Sequence, residues 1–178
     1  MIKTINRILI AVEIFFVIIA FVFLFSNAVK VNISITKSFS LTYFKAIFGF
    51  KENEYTYTKF SIGNFISMIF VFAAMIFTIV RPFLKKLNEK IWFKYIAVGL
   101  LIISGILLFF TGIFTVVDSK WTGGSNYSKH MTNAPIGCAI FLFLTALCVV
   151  AEDVVKIILE RKIDHKGKVK VKKIKGRS

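Results

Sequence analysis

Four long apolar runs, at residues 8–26, 62–80, 95–117 and 135–158, constrain this chain more than any other feature. Each is close to the ~20 residues needed to cross ~30 Å of hydrocarbon at 1.5 Å per residue. The second and third contain no charged residue. Of the 178 residues, 57% are hydrophobic, against about 45–50% in ordinary soluble domains, which is more apolar surface than one soluble core can hide. The formal net charge of +15 does not make this a disordered basic protein, because such chains lack the hydrophobicity that drives folding. The expected fold class is all-α transmembrane: a four-helix antiparallel membrane bundle over 1–158, with a small β-like element in the loop 27–61, and then a basic tail at 159–178.

Lys3 and Arg7 before the first run, with Ser26-Asn27-Ala28 after it, also match a secretory signal with a small-x-small cleavage site. The run is longer than the 7–15 residues of a signal core and contains Glu13, so it reads as a retained span. Basic residues then orient the chain. With both ends inside, the inner segments hold 17 of the 24 Lys and Arg, including Arg81, Lys85, Lys86, Lys90 and Lys94 in and around the short second loop. The outer loops hold Lys30, Lys37, Lys45, Lys51, Lys59, Lys120 and Lys129. The positive-inside rule therefore predicts a multi-pass protein of the cell membrane with both termini cytoplasmic. Trp92 and Trp121 fall near opposite interfaces, as an aromatic belt requires.

From Val31 to Tyr43 apolar and polar residues alternate, with Lys37 the one break in phase, which is the period of a half-buried strand. Glu54 to Thr58 is a shorter candidate partner, and Phe44 to Phe50 between them reads as a turn of helix. Four helices with a longer, strand-bearing first outer loop resemble the claudin-type topology. The loop has neither the Trp nor the two cysteines of that family, so the resemblance is one of topology only. Phe44-Lys45-Ala46-Ile47-Phe48-Gly49 resembles a segment of uncharacterised four-helix membrane proteins of low-GC Gram-positive bacteria, a family that implies no activity. Cys138 and Cys148 lie ten residues apart in one run, about 15 Å along a helix, too far to pair with each other.

Small residues recur every seven in the last two runs: Ala97, Ser104 and Thr111 beside Gly105 and Gly112, then Cys138, Thr145 and Glu152. Such stripes let helix backbones approach closely where lipid supplies no hydrophobic drive. They predict packing within the chain, or alternatively a homo-oligomer face.

The acidic residues inside the runs are the most informative. Glu13 and Glu152 each fall roughly 7–9 Å inside the inner boundary at 1.5 Å per residue, with Asp153 adjacent and Arg81, Lys94 and Lys156 bordering the same level. A carboxylate in a span costs a few kcal/mol and is a functional suspect by default. Glu13, Arg81, Glu152, Asp153 and Lys156 form the candidate charge site. Glu152 precedes Lys156 by four residues, the favourable order for a helical ion pair, which points to a structural latch. A proton- or cation-coupled site is the alternative, and the early Glu13 resembles the first-helix glutamate of small multidrug exporters, whose loops are much shorter.

The tail sets Lys166, Lys168, Lys170, Lys172, Lys173 and Lys175 among Gly and aliphatic residues. Beside a helix end this predicts binding to anionic lipid at ~1 kcal/mol per Lys. Nucleic acid is the weaker reading, since no aromatics interleave the lysines as a stacking platform would. No catalytic or phosphate-binding motif occurs, and His130 and His165 fall on opposite sides of the membrane. The expectation is a non-enzymatic interaction protein, structural, regulatory or immunity-type, with no cofactor or metal and with the lipid bilayer and a protein partner or second copy as partners. The alternative is a small cation- or proton-coupled transporter or channel component.

Overall fold

The computed structural model describes residues 2–32, 38–51, 56–84, 90–119 and 128–175, with side chains except those of Ile2, Lys3, Thr56, Tyr57, Ile91, Asp118, Ser119 and residues 159–175. It is mostly helical, and four helices are long and apolar enough to cross a membrane: Thr4–Leu24, Ile62–Phe83, Trp92–Phe109 and Asn133–Ile158. In chain order the elements are α1 (Ile2–Leu24), β1 (Asn27–Asn32), β2 (Ser38–Thr42), α2 (Tyr43–Phe48), β3 (Phe50–Lys51), β4 (Thr56–Thr58) and α3 (Ile62–Val80). A single 3-10 turn, Arg81–Phe83, ends α3. Then come α4 (Ile91–Phe109), α5 (Thr111–Phe114), β5 (Val117–Ser119), β6 (Ser128–Met131) and α6 (Asn133–Lys175). α1 packs along α6, α6 along α4 and α4 along α3, whereas α1 and α3 touch only lightly.

Two helices depart from the apolar runs. The third run continues to Val117, but α4 stops at Phe109 and a break at Phe110 separates it from the single turn of α5. Here the Thr111 hydroxyl donates to the Leu108 carbonyl at 2.7 Å and the Thr115 hydroxyl to the Thr111 carbonyl at 2.8 Å. Hydroxyls bonded to local carbonyls compete with the helix ladder, and the β-branched residues Thr115, Val116 and Val117 then lead into β5. At the other extreme α6 does not end at Ile158; its backbone stays helical through the basic tail to Lys175. Pro135 sits in its first turn, where a missing N–H costs nothing. Thr132, just before α6, ties the helix to β1: its hydroxyl donates to the Asn27 carbonyl and its N–H to the Ala28 carbonyl.

The alternating segment after α1 forms a hairpin rather than one strand. β1 and β2 pair antiparallel, with Val29 opposite Leu41 and Val31 opposite Phe39; Lys37, where the alternation breaks, lies outside the described residues. Period-2 geometry puts Val29, Val31 and Leu41 on the inner face, fully buried, and leaves Lys30 and Ser40 outside. Each apolar side chain taken from water in this way contributes ~1.5–3 kcal/mol. The free edge of β1 is taken by β6, from the distant connection before α6, with Lys30 opposite His130. The second sheet repeats the arrangement, with β4 between β3 and β5. Both long connections on this side of the helices are thus knitted into the same two sheets.

α2 is the helical turn expected between the strands. Its start is capped by Thr42, whose hydroxyl accepts from Lys45 N–H at 3.4 Å. It ends at Gly49 with φ of +89°, where a Cβ would lie 2.6 Å from the Thr58 carbonyl oxygen; only glycine fits. The Phe44–Gly49 segment is therefore a helix with its terminator. Ser61 fixes the start of α3, accepting from Asn64 N–H at 3.2 Å and donating to the Phe114 carbonyl at 2.7 Å. The Asn64 amide then donates to the Ala46 carbonyl and the Thr115 hydroxyl, joining α2, α3 and the end of α5.

The structure gives a position for each of the seven small residues singled out for packing. Ala97, Ser104, Thr111, Cys138 and Thr145 are buried, Gly105 lies beneath the Phe143 ring and Gly112 beside Met131. Ser104 and Thr145 satisfy their hydroxyls on the carbonyls of Leu100 and Phe141. A Cβ at Gly105 would sit 2.5 Å from the Phe143 ring, so Gly105→Leu is expected to overpack the α4–α6 contact by ~1–3 kcal/mol. Thermal unfolding in detergent checks this. The control is Gly99→Ala, which has no neighbour within 4 Å and is expected to leave the midpoint unchanged or slightly raised.

Candidate functional site

At the end of the helices opposite the sheets, five charged side chains from all four long segments meet. Arg81 anchors them. It is bonded into the last turn of α3 through its N–H to the Phe77 carbonyl, and Pro82 follows it and stops the helix. The side chain is thereby fixed at the helix end, and it is fully buried. Its Nη2 lies 2.5 Å from Glu13 Oε2 on α1, and its Nη1 lies 3.2 Å from Glu152 Oε2 on α6. Lys94 on α4 extends the chain, 3.4 Å from Glu152 Oε2 and 2.5 Å from Asp153 Oδ1. One guanidinium thus bridges α1, α3 and α6, and one ammonium carries the link to α4, so every long helix is tied in.

Burial grades across this network. Glu13 and Arg81 are 0% exposed and Glu152 is 3% exposed, whereas the Lys94 and Asp153 side chains are 12% and 23% exposed. The inner three charges therefore interact in a low-dielectric setting where each depends on its partner, and the outer pair is closer to its surroundings. Three carboxylates face two cations, leaving one negative charge in excess when all are ionised. Among the described residues Glu13 Oε1, Glu152 Oε1 and Arg81 Nε are buried without a hydrogen-bond partner, as is the amide oxygen of Asn6, seven residues before Glu13 on the same face of α1. These orphan acceptors suit a proton, water or small cation.

Of the five residues proposed from the sequence, Glu13, Arg81, Glu152 and Asp153 come together. Lys156 does not; it is exposed on α6, while Glu152 turns to Arg81 and Lys94. The i,i+4 rule is worth only ~0.2–0.5 kcal/mol per pair on a helix surface, and a buried carboxylate takes the partners its packing supplies. Lys94 is the member missing from the proposed set. Its signal was its position at the start of an apolar helix, level with the other charges. Side chains of Lys166, Lys168, Lys170, Lys172, Lys173 and Lys175 lie outside those described, although their backbone is helical. Cys138 and Cys148 are both free thiols. No protein-family model matches this chain, and neither does any curated protein or solved structure.

Proposed function

We propose that this is a non-enzymatic, multi-pass membrane protein, a four-helix antiparallel bundle with both termini cytoplasmic, that acts by interaction as a structural, regulatory or immunity-type subunit. The observation that carries this reading is the pairing of the two outer connections into shared sheets, β6 on β1 and β5 on β4. Short strands paired into two three-stranded sheets, with β1 and β4 held on both edges, make a firmer display surface than free loops would. That surface presents polar side chains such as Lys30, Ser38, Ser40 and His130. The orientation follows from the 17 basic residues on the inner side. The helical basic tail is then an anchor on anionic lipid, lost as salt rises.

Lys30 and His130 are paired across β1 and β6, so Lys30→Cys with His130→Cys is expected to form a disulfide on mild oxidation and to react with a membrane-impermeant thiol reagent in intact cells when reduced. Labelling only after permeabilisation would reverse the orientation. Cross-linking from Ser38→Cys, followed by pull-down, tests the interaction reading: a partner that recurs with this site and disappears when the sheet is disrupted supports it, and repeated absence of any partner removes it.

The orphan acceptors of Asn6, Glu13 and Glu152 favour a second reading, a cation- or proton-coupled transporter or channel component. Ion and proton flux through the reconstituted wild-type protein separates it from the first.

A further inference from the structure

α1 and α3 share the Glu13–Arg81 ion pair at one end but pack only lightly beyond it. Between them lies a groove of about 250 Å³ lined by Val17, Ile18 and Phe21 of α1 and Phe72, Met75 and Ile76 of α3, with Ile79 closing it toward Arg81. The lining contains no polar side chain. Its walls face outward, with Ile18 53% and Ile76 60% exposed. An unfilled groove in a bilayer forfeits contacts along its whole lining, and water has no polar partner there.

The occupant is indicated by α1 itself. Arg7, Ala11, Ile14, Ile18 and Phe21 recur at intervals of three and four, so they form one stripe of the helix. Arg7 therefore stands on the same stripe as the groove, about 16 Å from Ile18 along the axis at 1.5 Å per residue. It is exposed and has no ion pair among the described residues. Half of the ~30 Å hydrocarbon core is ~15 Å. A lipid whose phosphate is level with Arg7 thus has the ends of its acyl chains level with the groove. From this match of an apolar slot to a free cation one leaflet depth away, we propose that the α1–α3 groove is a binding site for one acyl chain of an anionic phospholipid, with Arg7 receiving its phosphate. The site rests on the membrane-spanning reading given above.

The test is native mass spectrometry of the full chain released from mild detergent with phosphatidylglycerol or phosphatidylcholine added. The wild type is expected to retain phospholipid and to prefer phosphatidylglycerol. Arg7→Gln keeps the lipid and lowers that preference roughly fivefold relative to the wild type, the value of ~1 kcal/mol per Arg near a membrane surface, the tail lysines being common to both. Ile76→Trp fills the groove and lowers retention at least tenfold, and so does Ile18→Trp from the facing wall. Ile103→Trp, on the exposed side of α4, leaves retention unchanged. Equal retention by wild type and both groove variants overturns the site. So does a lipid-free wild-type dimer that Ile76→Trp dissociates, which would give the groove to a second copy. Alkaline carbonate extraction of the wild type separates the two readings: release from membranes defeats the spanning reading itself, whereas a chain that stays in membranes with unaltered lipid retention in the groove variants defeats the lipid site alone.

Discussion

Arg81→Met destabilises the protein by roughly 3–5 kcal/mol. The substitution keeps most of the side-chain volume but removes the guanidinium that lies 2.5 Å from Glu13 and 3.2 Å from Glu152. Both carboxylates are then left in a site with almost no exposure, and Lys94, 3.4 Å from Glu152, is the remaining cation of the network for all three acids. Losing one partner of a buried charge set costs more than the set contributes net, because the survivors keep their desolvation penalty. Unfolding by a denaturing detergent, followed by circular dichroism, reads the loss directly. Lys94→Met is expected to cost less, about 1 kcal/mol, since Lys94 and Asp153 are partly exposed. Equal losses for the two would mean that burial does not rank these interactions.

Replacing the inner three charges together restores most of what Arg81→Met takes away. Glu13→Leu, Arg81→Met and Glu152→Leu combined leave no buried charge without a partner, and exchange of a buried ionic triad for apolar side chains of similar volume is often neutral or stabilising by ~1–4 kcal/mol. The expected recovery relative to Arg81→Met alone is at least 3 kcal/mol. The comparison isolates the coupling among the three residues, because side chains in one network are non-additive while distant sites add. If the triple variant is as unstable as the sum of its single losses, the three residues act separately and the latch description fails. A stable triple variant would also show that the charge set contributes little net stabilisation.

The helices were legible because hydropathy reports directly on the solvent a segment tolerates, and the runs at 62–80 and 135–158 closely mark two of the helices long and apolar enough to cross a membrane. The same rule misplaced the end of α4 at Val117, since the hydropathy of 110–117 suits a span although the helix ends at Phe109. Glu13, Arg81 and Glu152 stood out because charge near a span is expensive. Which cation each acid would take was not legible. Lys156 is the helical neighbour of Glu152, but Arg81 and Lys94 reach it from α3 and α4 through packing that no local spacing encodes. The sheets were half visible in the same sense. Val31 to Tyr43 carried a clear period of two, whereas β5 and β6 have three and four residues, too short for a pattern of their own. They are strands because β4 and β1 offer them edges.

The most direct test of the account is ion and proton flux through the wild-type protein reconstituted in liposomes, with internal pH and potassium followed after a gradient is imposed. If the charge network is a latch, wild type, Glu13→Gln and Glu152→Gln all leak no faster than empty liposomes, and the variants differ from wild type only in stability. A wild-type flux that Glu13→Gln abolishes, in a variant with an unchanged unfolding transition, would contradict the latch and make the orphan oxygens of Glu13 and Glu152 part of a transport path.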